Sequence, residues 1–187
     1  MTSSFIIDPA VFIITGRRRG GKTSFLIDLI EKLKGSKLSL DGILAIASSG
    51  EEIPDSYSLS HIKTGKSIPL CDRNPVKDWI KAGPFHFNPV AIEMGNRIFT
   101  CPEIGNNDLI FIDEIGKLEL DGKIWATSFS LLLRNAPCPL VLSVRETFTD
   151  QVVEHWNLEV SEIFDIHKTT PHKASLAIIK RIKINKP

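Results

Sequence analysis

Apolar residues along this chain fall into two rhythms that alternate: short unbroken runs rich in β-branched side chains, and longer stretches repeating every three or four positions. Val11 to Thr15 is an unbroken run that ends at Gly16, the pattern of a strand buried on both faces of a parallel sheet. From Lys22 onward, Phe25, Leu26, Leu29, Ile30 and Leu33 recur at helical spacing, and Gly35 stands where a helix C-cap is expected. Leu40 to Ser48 reads as a second strand. Tyr57 to Thr64 and Ser67 to Cys71 read as a hairpin turning at Thr64, Gly65 and Lys66. Between Asp72 and Thr100, Pro75, Gly83, Pro84, Pro89 and Gly95 interrupt every period, so that segment reads as irregular, with short strands near Phe85 to Phe87 and Arg97 to Thr100.

Regularity returns with Leu109 to Ile112, an apolar strand that ends in the acidic pair Asp113 and Glu114. Trp125, Phe129, Leu132 and Leu133 mark one face of a helix that stops before Pro137, and Leu140 to Val144 is another buried strand. Phe148, Val152, Val153 and Trp156 predict a further helix, Ile163 to Ile166 a last short strand, and Pro171 to Ile182 a terminal helix with proline in its first turn. Strands alternating with helices predict an α/β three-layer sandwich: a mostly parallel central sheet, helices on both faces, and a β-hairpin-rich insertion at about residues 55–100. Ligands bind such sheets at the carboxyl ends of the strands, and Gly16 and Asp113 both close a strand. The two most suggestive motifs are therefore expected on one edge.

That edge carries chemistry. Gly16-Arg17-Arg18-Arg19-Gly20-Gly21-Lys22-Thr23 matches GxxxxGK[ST] in full, after a predicted strand and at the start of a predicted helix, as the motif requires. The glycines let backbone N–H groups turn in around a phosphate, and the helix N-terminus adds partial positive charge. Lys22 is expected to bridge β- and γ-phosphate oxygens, Thr23 to ligate Mg²⁺ through its hydroxyl, and Ser24 to donate to the α-phosphate. Asp113 is expected to hold the same Mg²⁺, directly or through water, and Glu114 to orient or deprotonate the attacking water. Arg17, Arg18 and Arg19 in the loop and Arg134 and Arg145 outside it are candidate neutralisers of the transferring phosphoryl group. Ser143 and Arg145, two residues apart at a strand end, form a candidate γ-phosphate sensor. The shorter DxxG pattern of small GTPases also fits Asp113 to Gly116. No NKxD base reader accompanies it, since the one Asn-Lys pair is Asn185-Lys186 at the C-terminus, so guanine specificity has no support.

Composition narrows the partners. With 187 residues, the chain is expected to form one domain, and 42% apolar with 24% charged residues is ordinary for a globular protein. A formal charge of +1 gives no global field toward nucleic acid or anionic lipid. The basic positions Lys173, Lys180, Arg181, Lys183 and Lys186 read as a solvated face that complements the terminal helix dipole. Cys71, Cys101 and Cys138 form no CxxC pair, and the histidines show no HxH or HExxH spacing, so neither a disulfide framework nor zinc chemistry is indicated. Asp8 and Pro9 interrupt the apolar stretch from Phe5 to Ile14, and no uncharged run approaches the ~20 residues of a membrane helix. The expectation is a cytoplasmic protein without membrane contact; its oligomeric state is left open.

Asp113-Glu114-Ile115-Gly116-Lys117-Leu118-Glu119-Leu120 resembles the DEIGKMEL signature of the small THEP-type P-loop nucleoside triphosphatases. The order of P-loop, hairpin-rich middle, acidic signature, helix, strand and basic terminal helix is similar along nearly the whole chain. The resemblance implies a RecA-like domain that hydrolyses several nucleoside triphosphates, ATP and GTP among them, to diphosphate and phosphate with Mg²⁺ and loose base selectivity. By position it gives Gly16, Gly21, Lys22 and Thr23 the phosphate-loop roles, Asp113 the metal role and Glu114 the water-activating role. The chain departs from the family pattern in its loop arginines and between Tyr57 and Thr100. A nucleotide or small-molecule kinase and a nucleotide-binding switch with little turnover remain the alternatives.

Overall fold

In chain order the strands are β1 (Val11–Gly16), β2 (Leu40–Ala47), β3 (Ser56–His61), β4 (Ser67–Asp72), β5 (Ile80–Ala82), β6 (Phe85–Phe87), β7 (Leu109–Ile115), β8 (Leu140–Arg145) and β9 (Val160–Asp165). The helices are α1 (Lys22–Lys34), α2 (Pro89–Thr100), α3 (Lys117–Leu120), α4 (Ala126–Asn135), α5 (Thr149–Trp156) and α6 (Pro171–Asn185). The structure is a computed structural model and describes residues 9–48, 54–135 and 138–185. The N-terminal stretch before Pro9, the Pro137 helix stop and Lys186 of the Asn-Lys pair lie outside the described residues.

The strands form one sheet in the order β5-β6-β4-β3-β2-β7-β8-β1-β9. From β2 to β9 the pairings are parallel, and β3, β4, β6 and β5 continue the sheet in antiparallel fashion from the outer edge of β2. The parallel core is buried on both sides because β1, β7 and β8 are apolar on both faces. Alternate residues serve opposite layers. Phe12 and Ile14 of β1 pack with Leu26, Leu29 and Leu33 of α1 and with Ile178 of α6, whereas Val11 and Ile13 face the layer holding Phe99 of α2, Phe129 of α4 and Val152 of α5. The α/β sandwich expected from the alternation is what the chain forms. Among the described residues, no helix is long and apolar enough to cross a membrane.

Close approach of β2 and β7 depends on Gly42. Its φ is +120°, and a Cβ there would fall on the backbone carbonyl of Phe111. This lets β2 and β7 lie close together in the amino-terminal half of their pairing, from Leu40 opposite Leu109 to Ile43 opposite Ile112.

One element differs from the sequence expectation. Arg97 to Thr100 is the last turn of α2 rather than a strand. Asn88 caps that helix, its side chain accepting from the Val90 N–H at 3.0 Å, and Pro89 fills the first turn, where a missing N–H costs nothing. Ala91, Gly95, Ile98 and Phe99 form its buried face, at helical spacing. Gly95 sits in this pattern because the Trp125 indole lies where a Cβ would be. The segment also holds β5, which pairs with β6 across Gly83 and Pro84.

Candidate functional site

The loop between β1 and α1 folds on itself, with Gly20 N–H donating to the Arg17 carbonyl at 3.0 Å. Arg19 and Gly21 adopt positive φ, at +59° and +93°, which turns consecutive backbone amides toward the concave side. Gly16 closes against Ile166, in the loop after β9, leaving no room for a side chain. Lys22 opens α1 and is only 3% exposed. Its ammonium donates to the Arg17 carbonyl at 3.3 Å and lies 3.8 Å from Glu114 Oε1.

Across the edge, Thr23 Oγ1 donates to Asp113 Oδ2 at 2.9 Å. The Ala45 backbone N–H of β2 donates to the same oxygen at 3.1 Å, and Ser143 Oγ of β8 donates to Oδ1 through a short bond. Asp113 is fully buried. Burial first, then the neighbouring Glu114 charge, raise its pKa, while the bonds from Ser143, Thr23 and Ala45 oppose the rise. A carboxylate in this position is short of positive charge. A hydroxyl and a carboxylate meeting at the mouth of a phosphate loop offer hard oxygen donors, the chemistry that suits Mg²⁺.

Two adjacent residues of a regular strand point to opposite faces, so Asp113 and Glu114 share a site only because β7 breaks its register there. Pairing with β8 shifts between Ile112 and Ile115, and Glu114 takes φ +63°, a costly backbone for a side chain of its size. The displaced Glu114 N–H finds a replacement acceptor in Ser143 Oγ at 2.9 Å. One hydroxyl thus holds both acidic residues, donating to the first side chain and accepting from the second backbone. The Glu114 carboxylate then lies between Lys22 and Arg145, whose Nη2 is 3.6 Å from Oε2.

Of the loop arginines, Arg18 and Arg19 line the cavity, while Arg17 turns outward to an exposed pairing with Glu146 at 3.7 Å. Ser24 and Thr23 line it as well. Arg134 lies in the last turn of α4 and does not line it.

Sequence reasoning left the Ala45 amide and Glu119 unassigned and gave Ser143 another part. Ser143 was expected beside Arg145 as a phosphate sensor; in the structure its hydroxyl donates to Asp113 and accepts from the Glu114 N–H. The Ala45 amide is backbone and leaves no mark in the sequence. Glu119 is only 3% exposed and accepts from the Gly116 N–H at 3.1 Å, closing the turn after Glu114. Burial pushes its pKa up to about 7. A glutamate three residues after a glycine at a helix start is the signal that could have identified it.

The cavity does not end at the phosphate loop. It has a volume of about 370 Å³ and continues past Glu114 into a chamber walled by Tyr57, Phe85, Phe87, Ile124 and Trp125. Tyr57 meets Phe85 edge to face at 5.7 Å between centroids. Cys71 also lines it, with burial and then the Asp72 charge pushing its thiol up to about 12, so it is an apolar wall and not a nucleophile.

Comparison with known proteins agrees with this geometry. The chain is similar along 96% of its length to the solution structure of a human cancer-related nucleoside triphosphatase, covering 100% of that chain at 17% identity with a TM-score of 0.69. It is similar along 95% of its length to the crystal structure of THEP1 from the hyperthermophile Aquifex aeolicus, covering 99% of that chain at 16% identity with a TM-score of 0.62. Those likenesses establish a shared fold. No curated protein sequence matches the chain significantly. A family model described as NTPase matches residues 11–179, from the first residue of β1 into α6. The chain belongs to this NTPase family and is a nucleoside-triphosphate phosphatase.

Proposed function

We propose that the protein hydrolyses nucleoside 5′-triphosphates to diphosphate and phosphate in a Mg²⁺-dependent reaction with loose base selectivity. The observation that carries this reading is the convergence of Lys22, Thr23, Asp113 and Glu114 on the open end of one phosphate loop. Gly16 to Ser24 supply the cradle, with Lys22 at the β- and γ-phosphate oxygens. Thr23 and Asp113 would hold Mg²⁺, which when bound neutralises phosphate charge and orders the β and γ oxygens.

Glu114 is the base. Without nucleotide, Lys22 and Arg145 both spend their charge on its carboxylate. Arrival of a γ-phosphate offers both cations a more highly charged partner, so they move to it and leave the carboxylate to accept a proton from water. Attack of that water on the γ-phosphorus, with departure of the diphosphate, completes the reaction. Arg145, at the end of β8, then lies where charge accumulates on the transferring group. ATP, GTP and other triphosphates are the substrates this reading expects, and no NKxD reader singles out guanine. The unpaired thiols Cys71, Cys101 and Cys138 suit a reducing compartment such as the cytoplasm.

The test is phosphate release across the common triphosphates, with Mg²⁺ and with chelator, for wild type, Lys22→Ala and Glu114→Gln. Turnover in Mg²⁺ should disappear with chelator and fall by about 10²–10⁴-fold in Glu114→Gln, the range for loss of a general base. Unchanged turnover in Glu114→Gln would remove Glu114 from its role.

A further inference from the structure

Three arginines stand in the phosphate loop, and they do not take the same part. Arg17 turns out to Glu146 at 3.7 Å, whereas Arg18 and Arg19 line the cavity and, among the described residues, form no ion pair. Lys22 and Arg145 are already drawn to Glu114. Two loop cations are thus held at the site with no protein charge to answer them.

Arg19 is set apart by its backbone. It is the third residue of the four-residue turn that Gly20 N–H closes on the Arg17 carbonyl, and its φ is +59°. Glycine takes this left-handed region freely, as Gly21 does two residues on, while a longer side chain is strained there. Unlike asparagine or aspartate, arginine has no short polar group to offset the strain locally. A costly backbone at the lip of a phosphate site points to a side chain held for its function. The reach of that side chain is felt across the cavity. Burial first, then the Glu114 and Cys71 charges, push the Tyr57 phenol above its ordinary value, and Arg19, ahead of Arg18, opposes the rise. Tyr57 belongs to β3 and Arg145 to β8, which lie on opposite sides of β7 and its Glu114. Arg19 therefore brings positive charge to the side of Glu114 that Arg145 does not cover.

We propose that Arg19 is a catalytic residue: its guanidinium closes over the γ-phosphoryl group from within the phosphate loop and donates to the oxygens on which charge accumulates. The proposal rests on the hydrolytic reading, with Glu114 as the base. The water oxygen bonds to the γ-phosphorus as the bond from that phosphorus to the β–γ bridging oxygen breaks. The electron pair leaves with the nucleoside diphosphate, and a water proton passes to a Glu114 carboxylate oxygen. Arg19 keeps its own protons throughout; its planar, permanently charged fork presents two N–H donors to two oxygens at once.

The experiment measures phosphate release from Mg²⁺–ATP by the full chain for wild type, Arg19→Gly, Arg19→Asn and Arg18→Ala, with and without millimolar guanidinium chloride. Titration calorimetry on the same proteins compares a non-hydrolysable ATP analogue with ADP–aluminium fluoride, which stands in for the charge of the transferring group. Both substitutions of Arg19 accept the left-handed turn, so Arg19→Gly should melt no lower than wild type. The proposal expects kcat to fall about 10²–10³-fold in both, the worth of one donor to transition-state charge, and added guanidinium to restore part of the loss. Affinity for ADP–aluminium fluoride should fall at least about tenfold more than affinity for the ATP analogue. Wild-type kcat in the Arg19 variants, or a larger loss in Arg18→Ala than in either, would overturn the assignment and leave the hydrolytic reading intact. Equal losses for the two ligands would also overturn it, placing Arg19 in ground-state binding. No phosphate release by wild type would overturn the hydrolytic reading itself, and this inference with it.

Discussion

Replacing Ser143 by alanine removes one hydroxyl that holds two acidic residues, and its consequences separate positioning from mere stability. The hydroxyl donates to the buried Asp113 carboxylate and accepts from the Glu114 N–H at 2.9 Å. A hydrogen bond to a buried charge contributes about 1.5–3 kcal/mol, so a stability loss of roughly 2 kcal/mol is expected, or about 4–8 °C in melting temperature for a chain of this size. The kinetic effect has a different origin. Glu114 is held at φ +63° against its own backbone preference, and the bond to Ser143 is part of what maintains that geometry. Once released, the carboxylate relaxes away from the γ-phosphate. We expect kcat to fall about 10–100-fold, short of the full loss expected for Glu114→Gln. KM should change little, because Lys22 and the loop amides are untouched. The assay is steady-state phosphate release beside thermal melting of the same preparation. A lowered melting temperature with wild-type kcat would refute the claim that Ser143 positions the base.

Other consequences are as direct. Glu119 has a folded pKa pushed up to about 7 from an ordinary value of 4.5, so its contribution to stability is full below pH 4.5 and is lost as pH rises through about 7. Thermal melts should therefore lose on the order of 2–3 kcal/mol from this group between pH 4.5 and pH 8, and Glu119→Gln should flatten that slope; equal slopes would contradict it. Gly95→Ala puts a methyl group into the Trp125 indole, which is only 3% exposed and hydrogen-bonded to the Ile92 carbonyl at 3.3 Å. Overpacking of about 1–3 kcal/mol should outweigh the roughly 1 kcal/mol gained from helix propensity, and urea unfolding would show the sign. Asp41, at the opposite end of β2, accepts from Gly42 N–H at 2.7 Å and pairs with His61 Nε2 at 2.7 Å. His61→Ala should cost about 1–3 kcal/mol by stripping a partner from a buried carboxylate, without changing kcat; a kcat change would show that this cluster reaches the site.

Much of the fold was legible because its signals are local. The apolar run at Val11 to Thr15, the glycine-rich turn and the helical spacing from Phe25 to Leu33 each need only their own neighbours, and β1 and α1 follow them closely. The middle was harder for a definite reason. Pro89 and Gly95 read as breakers when taken singly, whereas Pro89 follows the capping Asn88 and Gly95 answers to Trp125, which is distant in sequence. The site divides in the same way. The loop motif and the acidic pair stand in the sequence, and the meeting of Thr23 with Asp113 follows because the loop leaves the carboxyl end of β1 and Asp113 stands near that of β7, on one edge. That Glu114 joins them depends on a register break against β8, and nothing in the seven residues of β7 encodes it without knowing that β8 lies between β1 and β7. The aromatic chamber is less legible still, since its walls come from β3, β6 and the residue before α4.

The central claim is that Lys22 and Asp113 act on one bound magnesium triphosphate while Glu114 serves only the chemistry. Isothermal titration of a Mg²⁺-loaded non-hydrolysable ATP analogue into wild type, Lys22→Ala, Asp113→Asn and Glu114→Gln tests it most directly. The account predicts heat of binding with similar affinity for wild type and Glu114→Gln, and a loss of at least about tenfold, or 1.4 kcal/mol, for Lys22→Ala and Asp113→Asn. Undiminished binding by Lys22→Ala and Asp113→Asn, or no heat with wild type, would contradict it.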